Sequence, residues 1–282
     1  MIIKDKYEVR TIAQIKTDYE FEKKLASRLR NSSKEERANG LYTELYDQLF
    51  KNTPQHQQIV RKTTPDEQIK INKRAMALFK NLLDENKTFA EIGPGDCSLS
   101  LTVSEFTNKT FAVDVSNEIT KDLNTPSNFS LIISDGSSIP LPDSSIDVVF
   151  SNQLMEHLHP DDSLQQLNHI FRVLKKNGSY ICITPNKFSG PHDISKYFDE
   201  VATGFHLKEY SVKELKEIFI KAGFSKIKLF IGLRGFYIKI PCFPVIWLEN
   251  ILSKFPFKLR RSIANFDLFR MLLGIKLRGL KT

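Results

Sequence analysis

The sequence predicts an α/β fold: a doubly wound parallel sheet over residues 86–240, with a helical segment before it and a basic extension after it. Three observations carry this. Strand-like and helix-like segments alternate through the middle of the chain, a pattern that folds as a parallel sheet with helices on both faces. Phe89-Ala-Glu91-Ile-Gly93-Pro-Gly95 leaves an apolar run and enters a helix through two glycines, as at the ligand-binding turn of such folds. Two further apolar runs, 227–231 and Phe236–Ile240, flank Gly232-Leu-Arg-Gly235, a hairpin pattern in which one strand must run antiparallel.

Taken in order, residues 1–85 read as polar and helical, an N-terminal extension that can act as a lid. Thr64 is placed to cap a helix, Pro65 suits its first turn, and Glu67 completes a capping box. Ile69, Met76, Phe79 and Leu83 then recur on one face. Strands are expected at 89–92, 110–115, 130–134, 146–151 and 180–184. A helix carrying Leu164, Leu167, Phe171 and Leu174 is expected to close at Lys175-Lys-Asn-Gly178, with last-turn cations and a capping glycine. Ser211 and Glu214 open another helix, which Gly223 ends. Residues 241–282 form the basic, amphipathic extension.

Composition narrows the function classes. With 282 residues, 41% hydrophobic and 26% charged, the chain has room for one full α/β domain plus helical additions. No apolar run approaches the roughly 20 residues of a spanning helix, and MIIKDKYEVR has no signal-peptide core, so a cytoplasmic location is expected. Cys97, Cys182 and Cys242 are odd in number and far apart, which speaks against disulfides and against zinc; no metal is expected. The net charge of +8 sits in the tail: residues 221–282 hold 13 Lys and Arg against Glu249 and Asp267. The remainder is slightly acidic, which makes nucleic acid an unlikely partner.

Three acids stand at successive strand ends. Glu91 faces the glycine loop, where a carboxylate can accept from a cationic amino group. Asp114, twenty-one residues after Gly93, can take both hydroxyls of a ribose. Asp135, followed by Gly136, can accept from an adenine amino group. With no Lys or Arg among them, they suit a nucleoside that carries positive charge and suit pyrophosphate poorly. A nicotinamide site would want glycine at position 98, where this chain has Ser98.

These residues resemble the motifs of class I S-adenosylmethionine-dependent methyltransferases. Glu91-Ile-Gly93-Pro-Gly95 looks like the first motif. The run from Ser134-Asp135 to Asp147 and Asn152 resembles the third and fourth motifs of the small-molecule branch with a type 11-like domain. Phe171-Arg-Val-Leu-Lys-Lys-Asn-Gly178 is similar to the helix-to-strand turn that follows them. The resemblance spans roughly residues 86–240. It implies a Rossmann-like seven-stranded sheet with an antiparallel last strand, and S-adenosyl-L-methionine as cofactor. It assigns Glu91, Gly93 and Gly95 to the methionine part, Asp114 to the ribose, and Asp135 with Gly136 to the adenine. Ser151 and Asn152 would line the methyl group. Cys97 departs from the pattern, standing where a third glycine is common.

The expected activity is methyl transfer to a small-molecule, sugar or lipid-linked acceptor at oxygen. Glu156-His157 resembles the Glu-His pair of ubiquinone-type O-methyltransferases, and a histidine there can take the acceptor's proton. The competing role for His157 is packing or capping, and His159, before Pro160, reads as structural. Between residues 186 and 206 an insert offers His192, Tyr197 and His206 as acceptor-pocket residues, or as a surface loop covering the core. Leu45-Tyr46-Asp47-Gln-Leu-Phe50 can fold over the same mouth. The tail, with Trp247 among apolar and basic residues, reads either as a peripheral contact for anionic membrane at the inner surface or as a helical layer packed on the domain. The alternatives for the whole chain are an inactive binding module of the same fold and an NAD-dependent oxidoreductase.

Overall fold

The computed structural model describes residues 8, 10–55, 64–116, 124–233 and 235–282. Helix α1 (Ile12–Arg30) opens at Thr11, whose hydroxyl accepts from the Gln14 amide while the Gln14 side chain reaches back to the Thr11 amide. Its buried stripe, Ile15, Tyr19, Leu25, Ala26 and Leu29, recurs at helical spacing and faces the domain. Helix α2 (Tyr42–Asn52) buries Tyr42, Leu45 and Leu49. Helix α3 (Pro65–Met76) starts at Thr64 with Pro65 and Glu67 in the roles expected of them. It stops at Met76, however, and the expected apolar face breaks up: Ile69 is 63% exposed, and Phe79 and Leu83 lie beyond the helix. The chain turns there because Phe79 packs against Phe89 and Phe150, with ring centroids 5.2 and 5.0 Å apart.

The sheet comprises β1 (Thr88–Ile92), β2 (Lys109–Asp114), β3 (Phe129–Ile133), β4 (Ile146–Asn152), β5 (Leu174–Thr184), β6 (Ser225–Leu233), β7 (Phe236–Ile240) and β8 (Ile275–Leu280), in the order β3-β2-β1-β4-β5-β8-β6-β7. Strands β1 to β5 pair in parallel. Among the described residues, helices α4 (Ser98–Ser104), α5 (Pro160–Val173) and α6 (Val212–Lys221) serve as crossovers. Strand order reverses at β1, which lies between β2 and β4, so a crevice opens beyond the carboxyl ends of these three strands.

Two expectations are corrected. The helix before β5 ends at Val173 instead of running on to Gly178. Leu174 already pairs with Ile146, and Lys175-Lys-Asn-Gly178 bulges out of β5 before pairing resumes at Ser179. Asn177, not Gly178, takes the left-handed backbone (φ 64°), and Lys175 reaches Asp147 at 2.7 Å. The bulge gains an ion pair and sheet pairing that a glycine-capped helix end would forgo.

Among the described residues the sheet also has eight strands instead of seven, and the eighth lies beyond residue 240. The expected hairpin of β6 and β7 forms, although Arg234 in its turn lies outside the described residues. The chain then makes α7 (Phe243–Leu252), α8 (Phe257–Ala264) and α9 (Asp267–Leu273) and returns as β8 between β5 and β6, antiparallel to both. Ile275 and Leu277 are buried there, so part of the basic extension is core. Among the described residues, no helix is long and apolar enough to cross a membrane.

Candidate functional site

A cavity of about 400 Å³ occupies the crevice. Its floor is the loop after β1. Gly93 and Gly95 both have left-handed backbones, φ 68° and 58°, and both line the cavity. A side chain at Gly93 would press on Leu154 at 3.0 Å, whereas the space over Gly95 is open, so a ligand can lie against bare main chain there. Cys97 is left-handed too (φ 59°) and fully buried at the start of α4. The position where the family often has glycine thus requires a glycine-like conformation, which Cys97 adopts; burial pushes its thiol up to about 12.

Asp114 ends β2 and lines the cavity, with its carboxylate accepting from the Val115 amide at 2.7 Å. Burial raises its pKa, and the amides of Val115, Ser116 and Gly95 oppose the rise. The other two acids sit behind the wall. Glu91 is buried, accepts a short hydrogen bond from the Ser100 hydroxyl on α4, and is pushed by burial up to about 8. Asp135 spends its carboxylate on the loop after β3, accepting from the amides of Ser137 at 2.8 Å and Ser138 at 2.6 Å. Burial works against ionisation of Asp135, but these amides and their hydroxyls outweigh it and hold the pKa below its ordinary value. On either side of it, Ser134 and Gly136 do line the cavity.

The end of β4 is displaced from expectation in the same way. Ser151 is fully buried and shares a 2.7 Å hydrogen bond with the Tyr180 hydroxyl, and Asn152 is exposed. Gln153, with φ 56°, and Leu154 turn into the cavity instead. His157 follows in a short 3₁₀ turn and lines one side. Its Nδ1 lies 3.0 Å from the Phe205 carbonyl oxygen, a contact that makes Nδ1 the protonated nitrogen and puts the basic lone pair on Nε2. Glu156 is fully buried; its Oε2 accepts from the Thr184 hydroxyl at 2.8 Å, and burial raises its pKa to about 7.

The insert after β5 folds back on α1. Tyr197 packs with Ile15, Tyr19 and Ile194, and neither it nor His192 lines the cavity. Glu209 gathers the two histidines: its carboxylate lies 3.2 Å from His192 Nδ1 and 2.8 Å from His206 Nδ1. Burial opposes its ionisation, but the two imidazoles hold its pKa down at about 2. His206 stands edge-on to His157, with centroids 4.9 Å apart, one layer behind the cavity wall. Arg30 of α1 fixes this loop by donating to the carbonyls of Thr203, Gly204 and His206 at 2.7–3.0 Å. His159 accepts from the Asp161 amide at 3.3 Å and caps α5.

The opposite wall comes from the N-terminal helices. Tyr42, Tyr46 and Phe50 of α2 and Gln68 and Ile71 of α3 line the cavity, as does Gln166 of α5. The aromatic stripe at Tyr42, Tyr46 and Phe50, spaced four apart, was the readable sign of a shared face; nothing in the sequence marks Gln68 or Gln166. A buried network fastens α2: Arg37 makes a two-pronged contact with Asp162 of α5, at 2.6 and 3.0 Å, and the Tyr42 hydroxyl donates to the same carboxylate at 2.7 Å. Among the described lining residues there are two acids, Asp96 and Asp114, and no Lys or Arg. That set of side chains fits a nucleoside carrying positive charge and presents no cation to a phosphate.

Comparison with known proteins agrees. Residues 90–182 match the family of the methyltransferase domain. Over residues 90–182 the chain carries a methyltransferase domain. A Mycolicibacterium smegmatis protein named as a probable S-adenosylmethionine-dependent methyltransferase is 38% identical over 87 residues, 31% of this chain and 32% of that one. A protein of the same name from Mycobacterium tuberculosis is 34% identical over 91 residues, 32% and 31% of the two chains. The chain thus spans about a third of the length of the relatives it matches. The methyltransferase fold extends further than that match. A chain from the complex of the Haloferax volcanii Trm112 activator with a methyltransferase has a TM-score of 0.52 at 18% identity, covering 77% of this chain and 94% of that one. A Thermotoga maritima S-adenosylmethionine-dependent methyltransferase has a TM-score of 0.50 at 16% identity, covering 86% and 96%.

Proposed function

We propose that this chain transfers a methyl group from S-adenosylmethionine to the hydroxyl of a small-molecule, sugar or lipid-linked acceptor. The observation that supports this best is the composition of the cavity: glycine main chain and Asp114 at one end, His157 at the other, and no Lys or Arg among the described lining residues. In this reading Gly93 and Gly95 bear the methionine part, Asp114 the ribose, and Ser134 and Gly136 the adenine. Glu91 and Asp135 act from behind, holding α4 and the β3 loop in place.

S-adenosylmethionine supplies an electrophilic methyl group on a positively charged sulfur. The protein's part is to align it with the acceptor oxygen and exclude water, for which Tyr46, Phe50 and Leu154 provide the apolar walls. His157 Nε2 receives the acceptor's proton, and the Phe205 carbonyl holds the imidazole in the tautomer that can do so. The tail adds a place to work: Phe243 and Trp247 of α7 are 70% and 67% exposed beside the basic α8, a surface suited to the anionic cytoplasmic face of a membrane. Calorimetric titration with S-adenosylmethionine, followed by a screen of hydroxylated acceptors with the labelled cofactor, tests the reading. Absence of cofactor binding refutes it.

A further inference from the structure

Beside the cavity, three side chains from distant parts of the chain converge. One ligand-capable atom from each of Glu156, His157 and His206 lies within 4.8 Å of the others. Both imidazoles have their far side fixed. His157 Nδ1 faces the Phe205 carbonyl at 3.0 Å, and His206 Nδ1 faces the Glu209 carboxylate at 2.8 Å. Such contacts to a carbonyl and a carboxylate are those that orient metal-binding histidines and place the lone pair on Nε2. Glu156 uses Oε2 for Thr184, but its Oε1 is buried with no hydrogen-bond partner. A buried carboxylate oxygen left in that state calls for a ligand. The backbone holds the three together: the Lys208 amide donates to the Glu156 carbonyl at 3.1 Å, and Arg30 and Glu22 of α1 pin the segment from Thr203 to His206.

We infer that Glu156, His157 and His206 bind one divalent transition-metal ion at the acceptor end of the cavity. Two imidazoles and one carboxylate with positions left open are a donor set for Zn²⁺, Mn²⁺ or Fe²⁺. Metal–ligand bonds of about 2.0–2.2 Å require ligand atoms roughly 3 Å apart, so the three groups close by about 1–2 Å on binding. The widely spaced cysteines play no part. The site's existence is independent of the proposed activity, but its role rests on it. Because His157 lines the cavity, an open coordination position can take the acceptor hydroxyl, whose pKa falls on the metal. The proton then passes to solvent water, the alkoxide oxygen forms the C–O bond as the S–C bond breaks, and neutral S-adenosylhomocysteine remains. The ion thus takes over the deprotonation otherwise assigned to the His157 ring.

The test uses the full chain without an affinity tag, stripped with chelator and titrated calorimetrically with ZnCl₂ and MnCl₂, with metal content read by elemental analysis. One equivalent per chain is expected for at least one metal. His206→Ala and Glu156→Gln should weaken binding more than about 10-fold, and Glu209→Gln by about 10- to 100-fold, through the loosened His206 ring. Circular dichroism confirms folding of each; if His206→Ala does not fold, Glu209→Gln and Glu156→Gln carry the comparison. Substoichiometric uptake, or affinity unchanged across these variants, overturns the site. S-adenosylmethionine titrated into the stripped protein separates the two proposals. Cofactor binding without metal uptake removes only the metal site, and metal uptake without cofactor binding removes only the methyl-transfer reading.

Discussion

Replacing Asp162 with alanine should be among the most damaging single changes in the chain, although Asp162 does not line the cavity. The side chains of Arg37 and Asp162 are both almost wholly buried, and the carboxylate holds the guanidinium at 2.6 and 3.0 Å and the Tyr42 hydroxyl at 2.7 Å. Removing the acid leaves the buried guanidinium with only the exposed Asp161, 3.8 Å away, and the Ser32 carbonyl, at a cost of about 3–5 kcal/mol. The Tyr42 hydroxyl loses its acceptor as well, a further ~1 kcal/mol that overlaps with the first. Total stabilities are about 5–15 kcal/mol, so the loss is a large share. At about 2–4 °C per kcal/mol it corresponds to a fall in Tm of roughly 6–20 °C. Urea and thermal unfolding followed by circular dichroism measure it. Because Tyr42 lines the cavity, cofactor affinity should fall in parallel. The double variant Arg37→Met with Asp162→Leu removes both charges and should recover most of the stability, while the Tyr42 hydroxyl keeps the His159 amide as donor and lacks only its acceptor. A loss below about 1 kcal/mol in Asp162→Ala, the size of an exposed pair, would refute the idea that this network fastens α2.

Further expectations concern the site and the surface. Asp114→Ala should weaken S-adenosylmethionine binding by about 1.5–3 kcal/mol, read by calorimetry, because two ribose hydroxyls lose a charged acceptor; unchanged affinity, or binding of NAD instead, counts against the cofactor assignment. His157→Ala should lower turnover about 100-fold or more with cofactor binding intact, and full activity would show that its ring only packs. Glu91, pushed up to about 8 from the ordinary carboxylate range, binds a proton in the folded state that the unfolded chain has already lost. Its contribution to stability is therefore greatest at low pH and is lost as pH rises through about 8; urea midpoints from pH 5 to 9 should fall less steeply in Glu91→Gln. Full-length protein should sediment with anionic vesicles at low salt and progressively less as salt rises, and Trp247→Ser should weaken the salt-resistant part. Indifference to anionic lipid at low salt would leave the tail a structural layer.

The parts of this fold that were legible in the sequence are those governed by local rules. The starts of α3 and α6 follow from capping residues, and the parallel strands appear as short apolar runs closed by turn residues. The glycine loop could be recognised because only a few residues tolerate its backbone. What was missed depends on distant contacts. The bulge at Lys175 to Gly178 is stabilised by Asp147 on another strand, and the charges read as a helix end instead serve a neighbouring strand. Strand β8 did leave a trace, since Ile275, Leu277 and Gly279 alternate with Lys276, Arg278 and Leu280, buried against half-buried. The two cations disguised it as part of a charged tail. For the candidate site, the identity of the strand-end acids was readable but their aim was not: Asp135 meets its own loop and Glu91 meets Ser100. Glu156 and His206 stand fifty residues apart in sequence, and only the fold brings them together.

The position of β8 governs the order in which the molecule can be assembled. A ribosome releases β6 and β7 some thirty-five residues before β8, yet neither can reach β5 until β8 has filled the slot between them. Through that interval the nascent chain carries two open ladders, one along β5 and one along β6, each able to recruit a stray strand. The helices α7 to α9, emerging in between, are the tether whose length determines how readily the missing strand finds its place. A chain interrupted after residue 274 is therefore a natural candidate for strand complementation, with a synthetic peptide spanning residues 275–282 supplied in trans and sheet closure as the reporter.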